Sequence, residues 1–139
     1  AMLKYSDIDP GLNELSGRVV NSVFQVHKYL GPGYLEKTYQ EALEKEFKSS
    51  GIAFEKEKSL KVYYKDGYLT SEHRLDLVVE NKIILELKCV ERLMAIHEAQ
   101  IYSYMKMADI GLGLLINFNT PLIKDGIRRF VLKKNSVTS

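Results

Sequence analysis

Arg74-Leu75-Asp76-Leu77-Val78-Val79, a short turn, and then Ile83-Ile84-Leu85-Glu86-Leu87-Lys88 decide the fold of this chain. Both runs are almost wholly apolar, the pattern of strands buried on both faces. Side chains on a strand alternate sides. Alternation places Leu75, Leu77 and Val79 on one face and Arg74, Asp76 and Val78 on the other. On the second strand Leu85, Leu87 and Cys89 oppose Ile84, Glu86 and Lys88. A reversal centred on Asn81 sets Asp76 directly across from Glu86. Directly opposed residues share a face, with Cβ atoms roughly 5 Å apart. Two carboxylates that close repel one another unless something positive sits between them. A hard divalent cation with oxygen ligands does so, and Lys88 stands beside the pair. The alternative is three charged residues on a wet strand face. Their apolar company argues against it, because a carboxylate in such surroundings is costly unless paired or metal-bound.

The chain has 139 residues, 45% of them hydrophobic and 27% charged. That length suits one domain with a single substantial core, and the composition is that of a globular protein. No apolar run is long enough to span a membrane, and the start lacks a signal-peptide pattern. Ala1 ahead of Met2 reads as a cloning remnant. The single cysteine, Cys89, rules out an internal disulfide and suits a reducing, cytoplasmic compartment. By alternation Cys89 turns away from the acidic cluster and reads as a small core residue. A net charge of +2 does not by itself argue for nucleic acid. Lys124, Arg128, Arg129, Lys133 and Lys134 nevertheless crowd the C-terminal end. They form either a phosphate-facing strip or an edge strand protected by charge.

Asp9-Pro10 predicts a helix start, with Leu12, Leu15, Val19, Val23, Val26 and Leu30 at helical spacing and Gly31-Pro32-Gly33 as its stop. A second helix is expected from about Tyr34 to Ser50, with Leu35, Tyr39, Leu43 and Phe47 as its stripe and Glu36 bordering it. Strand-like pieces follow at 52–55 and 60–64, with Asp66-Gly67 as a hairpin turn. The two strands through Asp76 and Glu86 come next. A third helix is expected over 95–108, an apolar strand over 112–118 and a last strand over 127–132. This order, with no repeats and no linker, predicts a mixed α/β sandwich rather than a doubly wound fold.

Asp76, a gap, and Glu86-Leu87-Lys88 resemble the D…(D/E)xK signature of the PD-(D/E)XK nuclease superfamily. Gln100-Ile101-Tyr102-Ser103-Tyr104 resembles the QxxxY element found after the ExK strand in nuclease domains of the recombination-helicase type. Gly33-Tyr34-Leu35-Glu36-Lys37-Thr38-Tyr39 is similar to the pattern that names the small GxxExxY family within that superfamily. An isolated D…ExK is common by chance; the three elements in this order are far more specific. The resemblance runs from about Leu12 to Leu132. Leu75 stands where the nominal proline would be, a proline often missing in the superfamily.

The resemblance implies an α/β (α+β) fold with a restriction-endonuclease-like core, a mixed central sheet flanked by helices. It implies a metal-dependent nuclease acting on nucleic acid, DNA above all. Phosphodiester hydrolysis needs an activated water, a charge sink and help for the leaving oxygen, and a divalent ion serves all three. Asp76 and Glu86 are the expected side-chain ligands. The resemblance adds the backbone carbonyl of Leu87, and Glu36 through water or a second ion. Oxygen donors without His or Cys favour Mg²⁺ or Mn²⁺ over Zn²⁺. Lys88 is expected to position and deprotonate the attacking water or to stabilise charge beside it, and a lysine beside a cation has a lowered pKa. Gln100 and Tyr104, four apart on one helix face, are expected to touch the substrate backbone. Otherwise they are a surface glutamine and a core tyrosine. Arg74 either meets phosphate or pairs with an acid such as Glu72. His27 reads as a partly buried structural residue and His97 as a capping or surface one. Tyr63, Tyr64 and Tyr68 either stack on bases or pack on strands. So short a chain leaves specificity to a homodimer, a protein partner or the shape of the nucleic acid. The rival classes are a non-catalytic binding module on the same fold and a hydrolase of another phosphoester.

Overall fold

The computed structural model describes residues 9–132; Ala1, Met2, Lys133 and Lys134 lie outside them. The first helix, α1, covers Pro10–Leu30. The Asp9 carboxylate accepts the Leu12 amide at 3.3 Å, satisfying one of the donors a helix start leaves open. Gly31, at φ 68°, ends the helix in the left-handed region that glycine tolerates. The second helix, α2, covers Glu36–Ser50. It starts two residues later than its apolar pattern suggests, because Leu35 is extended at φ −71°, ψ 151°.

Five strands follow: β1 (Phe54–Tyr64), β2 (Gly67–Val79), β3 (Ile83–Lys88), β4 (Leu112–Asn117) and β5 (Ile127–Val131). They lie in sequence order in one mixed sheet. Only β3 and β4 are parallel, and the third helix, α3 (Ala95–Ala108), makes the crossover between them. The expected strand pieces at 52–55 and 60–64 are joined in one continuous strand, which starts only at Phe54, so Ile52 and Ala53 lie ahead of it. Polar residues interrupt its apolar pattern because β1 is an edge strand with solvent on much of its surface.

The sheet is covered on both faces. Leu15, Val19, Val23 and Val26 of α1, with Tyr39, Leu43 and Phe47 of α2, pack on Leu77, Val79, Leu85 and Leu87. Ile101, Tyr104 and Met105 of α3 pack on Leu75, Val78, Ile84 and Leu115 across the sheet. Leu75 therefore does not share a face with Leu77 as strict alternation requires. The reason lies on the neighbouring strand. Lys56 pairs with Leu77 and Lys58 with Leu75, and between them Glu57 takes φ 52°. This left-handed residue stands across from Asp76 and turns the hairpin over by one face. Lys56 reaches Glu44 of α2 at 3.7 Å, while Leu60 joins the α3 side.

The basic C-terminal strand is used as a clamp. Arg129 donates to Ser16 Oγ at 2.9 Å and Asn13 Oδ1 at 3.2 Å on α1. Arg128 pairs with Glu98 of α3. The two arginines thus tie one helix on each face to the edge of the sheet.

Two glycines permit close approaches. A Cβ on Gly113 of β4 would lie 2.7 Å from Met105 Sδ, under α3. One on Gly126 would lie 2.2 Å from the Asn117 carbonyl oxygen. Side chains at a methionine tip move; backbone does not. Gly126→Ala is expected to lose roughly 1–3 kcal/mol or more of stability, and Gly113→Ala clearly less. Urea denaturation of the two variants checks this, and the reverse order would contradict the packing described.

Candidate active site

The β2–β3 pairing is centred on Asn81. Leu77 lies opposite Leu85, Val78 opposite Ile84 and Val79 opposite Ile83. The backbone ladder stops there, although β3 continues for three more residues. At the next position the two carboxylates take over. The Asp76 amide donates to Glu86 Oε1 at 3.0 Å, and the Leu87 amide donates to Asp76 Oδ2 at 2.7 Å. Each acid thus satisfies a backbone donor of the opposite strand where the strands part. This is the contact that Leu87 makes here. β3 meanwhile stays paired to β4 through Lys88 and Asn117, which holds the far side of the site in register.

Glu86 is only 4% exposed. Burial pushes its carboxyl up to about 8, helped by the Asp76 carboxylate and opposed by the Asp76 amide and Lys88. Asp76 is also raised by burial, against the pull of the Leu87 amide and Lys88; Glu57 adds to the rise. Glu36, the first residue of α2, is exposed as a residue, yet its carboxyl is raised by partial burial and then by Asp76, with Lys88 opposing. Glu36, Asp76, Glu86 and Lys88 therefore share one electrostatic neighbourhood, drawn from α2, β2 and β3.

The expected ligand set is not a ready-made shell. Among the described residues no three His, Cys, Asp or Glu side chains are gathered closely enough to hold a metal ion. Asp76 and Glu86 each have one oxygen committed to a backbone amide, and Glu36 sits at a helix start. The donors nevertheless suit a hard cation. They are all carboxylate oxygens, each acid keeps a second oxygen, and their mutual repulsion is what added positive charge would relieve.

Lys88 Nζ donates to Gln100 Oε1 at 3.3 Å, so α3 reaches the site through Gln100. Tyr104, one turn on, is buried; burial raises its hydroxyl, Glu86 and Asp76 raise it further, and a hydrogen bond with Gln100 opposes them. It is thus a core residue and a neighbour of the carboxylates at once. Arg74 sits 3.5 Å from Glu57 rather than Glu72, its side chain 70% exposed. Glu72 takes the Ser59 hydroxyl instead. Cys89 packs against the core on the α1–α2 side. His97 Nδ1 accepts the Met94 amide at 2.9 Å, capping α3. His27 is buried, its Nε2 2.8 Å from the Thr120 carbonyl oxygen.

Two residues matter here that sequence reasoning passed over. Glu57 kinks the hairpin at Asp76. Asn117 is buried at the end of β4; its Oδ1 accepts the amides of Val90 and Asn119, and its Nδ2 donates to the Val90 carbonyl at 2.9 Å. It fixes the chain as it leaves Lys88. A polar residue closing the apolar run 112–116 was the signal for it.

The raised carboxyls set a pH dependence. Glu86 ionises near 4.5 when exposed and near 8 when folded, so folding favours its protonated form. Stability is fully present below about 4.5 and falls as pH rises toward about 8; Asp76 and Glu36 act in the same sense. The metal-free protein should lose a few kcal/mol over that window, and Glu86→Gln should flatten the slope. Thermal melts of both proteins across the window, in chelator, decide it; parallel curves would sink the buried-acid account.

The chain matches no curated protein and no solved structure. A family model described as the PD-(D/E)XK nuclease superfamily matches residues 13–130. Its span includes both strands of the carboxylate pair, α2 with Glu36 and α3 with Gln100. The five-strand mixed sheet and three α-helices of the described residues are consistent with the restriction-endonuclease-like core of such proteins. The chain belongs to the PD-(D/E)XK nuclease superfamily.

Proposed function

We propose that this protein is a divalent-metal-dependent nuclease of the GxxExxY type, hydrolysing phosphodiester bonds in nucleic acid, with DNA as the preferred polymer. The observation that carries the reading is Asp76 beside Glu86 in buried apolar strands, with Lys88 on the same strand held by Gln100. The GxxExxY pattern also acquires a physical sense. Gly33 has φ 109°. The Tyr39 hydroxyl donates to the Gly31 carbonyl at 2.5 Å and accepts the Tyr34 amide at 3.2 Å. Its ring stacks on Phe118 at 4.3 Å. The glycine and the tyrosine thus pin the turn that presents Glu36 to Asp76 and Lys88.

In this reading Asp76 and Glu86 would hold Mg²⁺ or Mn²⁺, with the Leu87 carbonyl as a further ligand and Glu36 acting through water or on a second ion. When bound, the ion would supply Lewis acidity and a sink for the charge that develops on the phosphoryl and leaving oxygens. Lys88 Nζ would take a proton from the attacking water as the free amine, or stabilise the anion beside it as the ammonium. Gln100 fixes the reach of that ammonium, and Tyr104 limits the space beside it. Arg74 lies two residues from Asp76 along the strand pair, and its exposed contact with Glu57 is weak. It is therefore free to exchange that partner for a phosphate.

The test is a cleavage assay with Mg²⁺ or Mn²⁺ on single-stranded, duplex and branched substrates. Lys88→Ala and Lys88→Arg should both keep substrate binding and lose roughly 10²–10⁴-fold in turnover, since arginine does not release a proton at accessible pH. Equal cleavage by wild type and Lys88→Ala would remove the assignment. Glu36→Gln should lose most cleavage at nearly unchanged stability; activity within a few-fold of wild type would show that Glu36 takes no part.

Metal binding has a readout independent of turnover. A ligand that binds only the folded state raises the melting temperature. Millimolar Mg²⁺ or Mn²⁺ should do so for the wild type and not for Asp76→Asn. Metal-free Asp76→Asn and Glu86→Gln should be at least as stable as the parent, because each removes the repulsion. A wild-type melt indifferent to metal would count against the ligand set.

A further inference from the structure

A groove of about 530 Å³ lies between α3 and the outer part of the β1–β2 hairpin. We infer that it takes one unpaired base of the substrate strand, so that the enzyme engages single-stranded segments. The inference rests on the nuclease reading for its strand and on the groove's own chemistry for its base.

The walls are apolar: Val62 from the hairpin, Ile96 and Met107 from α3. At one end the His73 and Tyr104 rings lie 5.8 Å apart and tilted by 54°. Ser103 and Lys106 add polar atoms along the helix side. A nucleobase matches this set, with π faces for the rings and apolar walls and polar edges for the donors. The volume falls within the range of small-molecule sites.

Position argues for a base over other flat groups. Gln100 lines the groove and also receives the Lys88 ammonium at 3.3 Å. Whatever fills the groove therefore lies next to the atoms proposed to meet the scissile phosphate. In a duplex the bases are stacked inside and do not reach such a wall without being extruded. Beyond Val62 the hairpin tip exposes Tyr63, Tyr64 and Tyr68. The Tyr63 and Tyr68 rings meet edge to face at 5.1 Å. Exposed aromatic rings on the same hairpin suit the stacking of further unpaired bases.

The experiment is fluorescence anisotropy in EDTA, where cleavage does not interfere. The probes are a labelled oligothymidylate of about twelve nucleotides, within the span of small single-strand binders, the all-abasic strand of the same length, and a duplex. The wild type should bind oligothymidylate about 5- to 100-fold more tightly than the abasic strand, the loss that one stacked base carries. His73→Ala, which removes a ring, and Ser103→Trp, which fills the groove from an exposed helix position, should both remove the groove's share of that advantage, roughly 5-fold or more. Neither should change abasic or duplex affinity, and thermal melts confirm that both fold. Equal wild-type affinity for thymidylate and abasic strands overturns the inference without any variant. So does a folded variant that retains the full advantage. Either result alongside Mg²⁺-dependent cleavage leaves the nuclease reading standing. A wild type that neither binds nor cleaves any of the probes overturns both.

Discussion

The structure turns on an exchange between two strands at the point where they separate. Asp76 and Glu86 accept each other's strand amides, the Leu87 and Asp76 N–H groups, in place of the backbone carbonyls of a continuing ladder. Two hydrogen bonds from backbone amides offset part of the cost of taking those carboxyls out of water. They do not offset all of it. Burial still raises both acids, the Asp76 carboxylate adding to the rise at Glu86 and Glu57 to that at Asp76, with Lys88 the nearby cation pulling the other way. The apolar packing on both faces of the sheet supplies the stability that lets this local penalty persist. Sites that carry chemistry are where such a penalty is usefully kept, because it is relieved only when the right partner arrives.

Everything around the pair serves to fix it. β3 is held on its other side by parallel pairing with β4 up to Lys88 and Asn117. The Lys88 carbonyl accepts the Phe118 amide at 3.0 Å, and Asn117 secures the segment that follows. The crossover from β3 to β4 places α3 over the sheet, which brings Gln100 to Lys88. Gly113 lets that helix approach closely, and Arg128 anchors its first turn through Glu98. On the opposite face the α1–α2 turn is pinned by Tyr39, stacked on Phe118. Phe118 immediately follows β4. The same strand end thus positions both Lys88 and the turn that carries Glu36.

Much of this could be read from the chain, because it depends on short-range patterns. Asn81 as the centre of the turn follows from apolar runs of matching length. The bounds of α3 follow from the breaks around it, and Asp9-Pro10 marks the start of α1. What the chain concealed depends on single residues in unusual conformations or on contacts distant in sequence. Nothing in Glu57 as a glutamate announces φ 52°, so alternation put Leu75 on the wrong side. The polar residues of β1 looked like a gap in a strand because edge exposure was not foreseeable. Arg128 and Arg129 read as a phosphate-facing strip or a charged edge strand; their partners, Glu98 and Ser16, lie 30 and 113 residues away in sequence. The backbone role of the two carboxylates was hidden for the same reason, since spacing gives proximity but not which oxygen meets which amide.

The kink at Glu57 is also what makes the site more than a pair of acids. A one-residue change of face along a strand carries every following side chain to the other side of the sheet. Without it Leu75 would lie with Leu77 over α1 and α2, and His73, Leu60 and Val62 would follow it there. With it they turn toward α3, where His73 meets Tyr104 and Val62 faces the helix across the groove. The kink falls opposite Asp76 itself, so one departure from regular geometry stands beside the carboxylates and turns the outer hairpin toward α3. Changes that restored regular alternation at Glu57 would therefore carry His73 and Val62 away from α3 and close the groove, even though no residue of α3 had been altered.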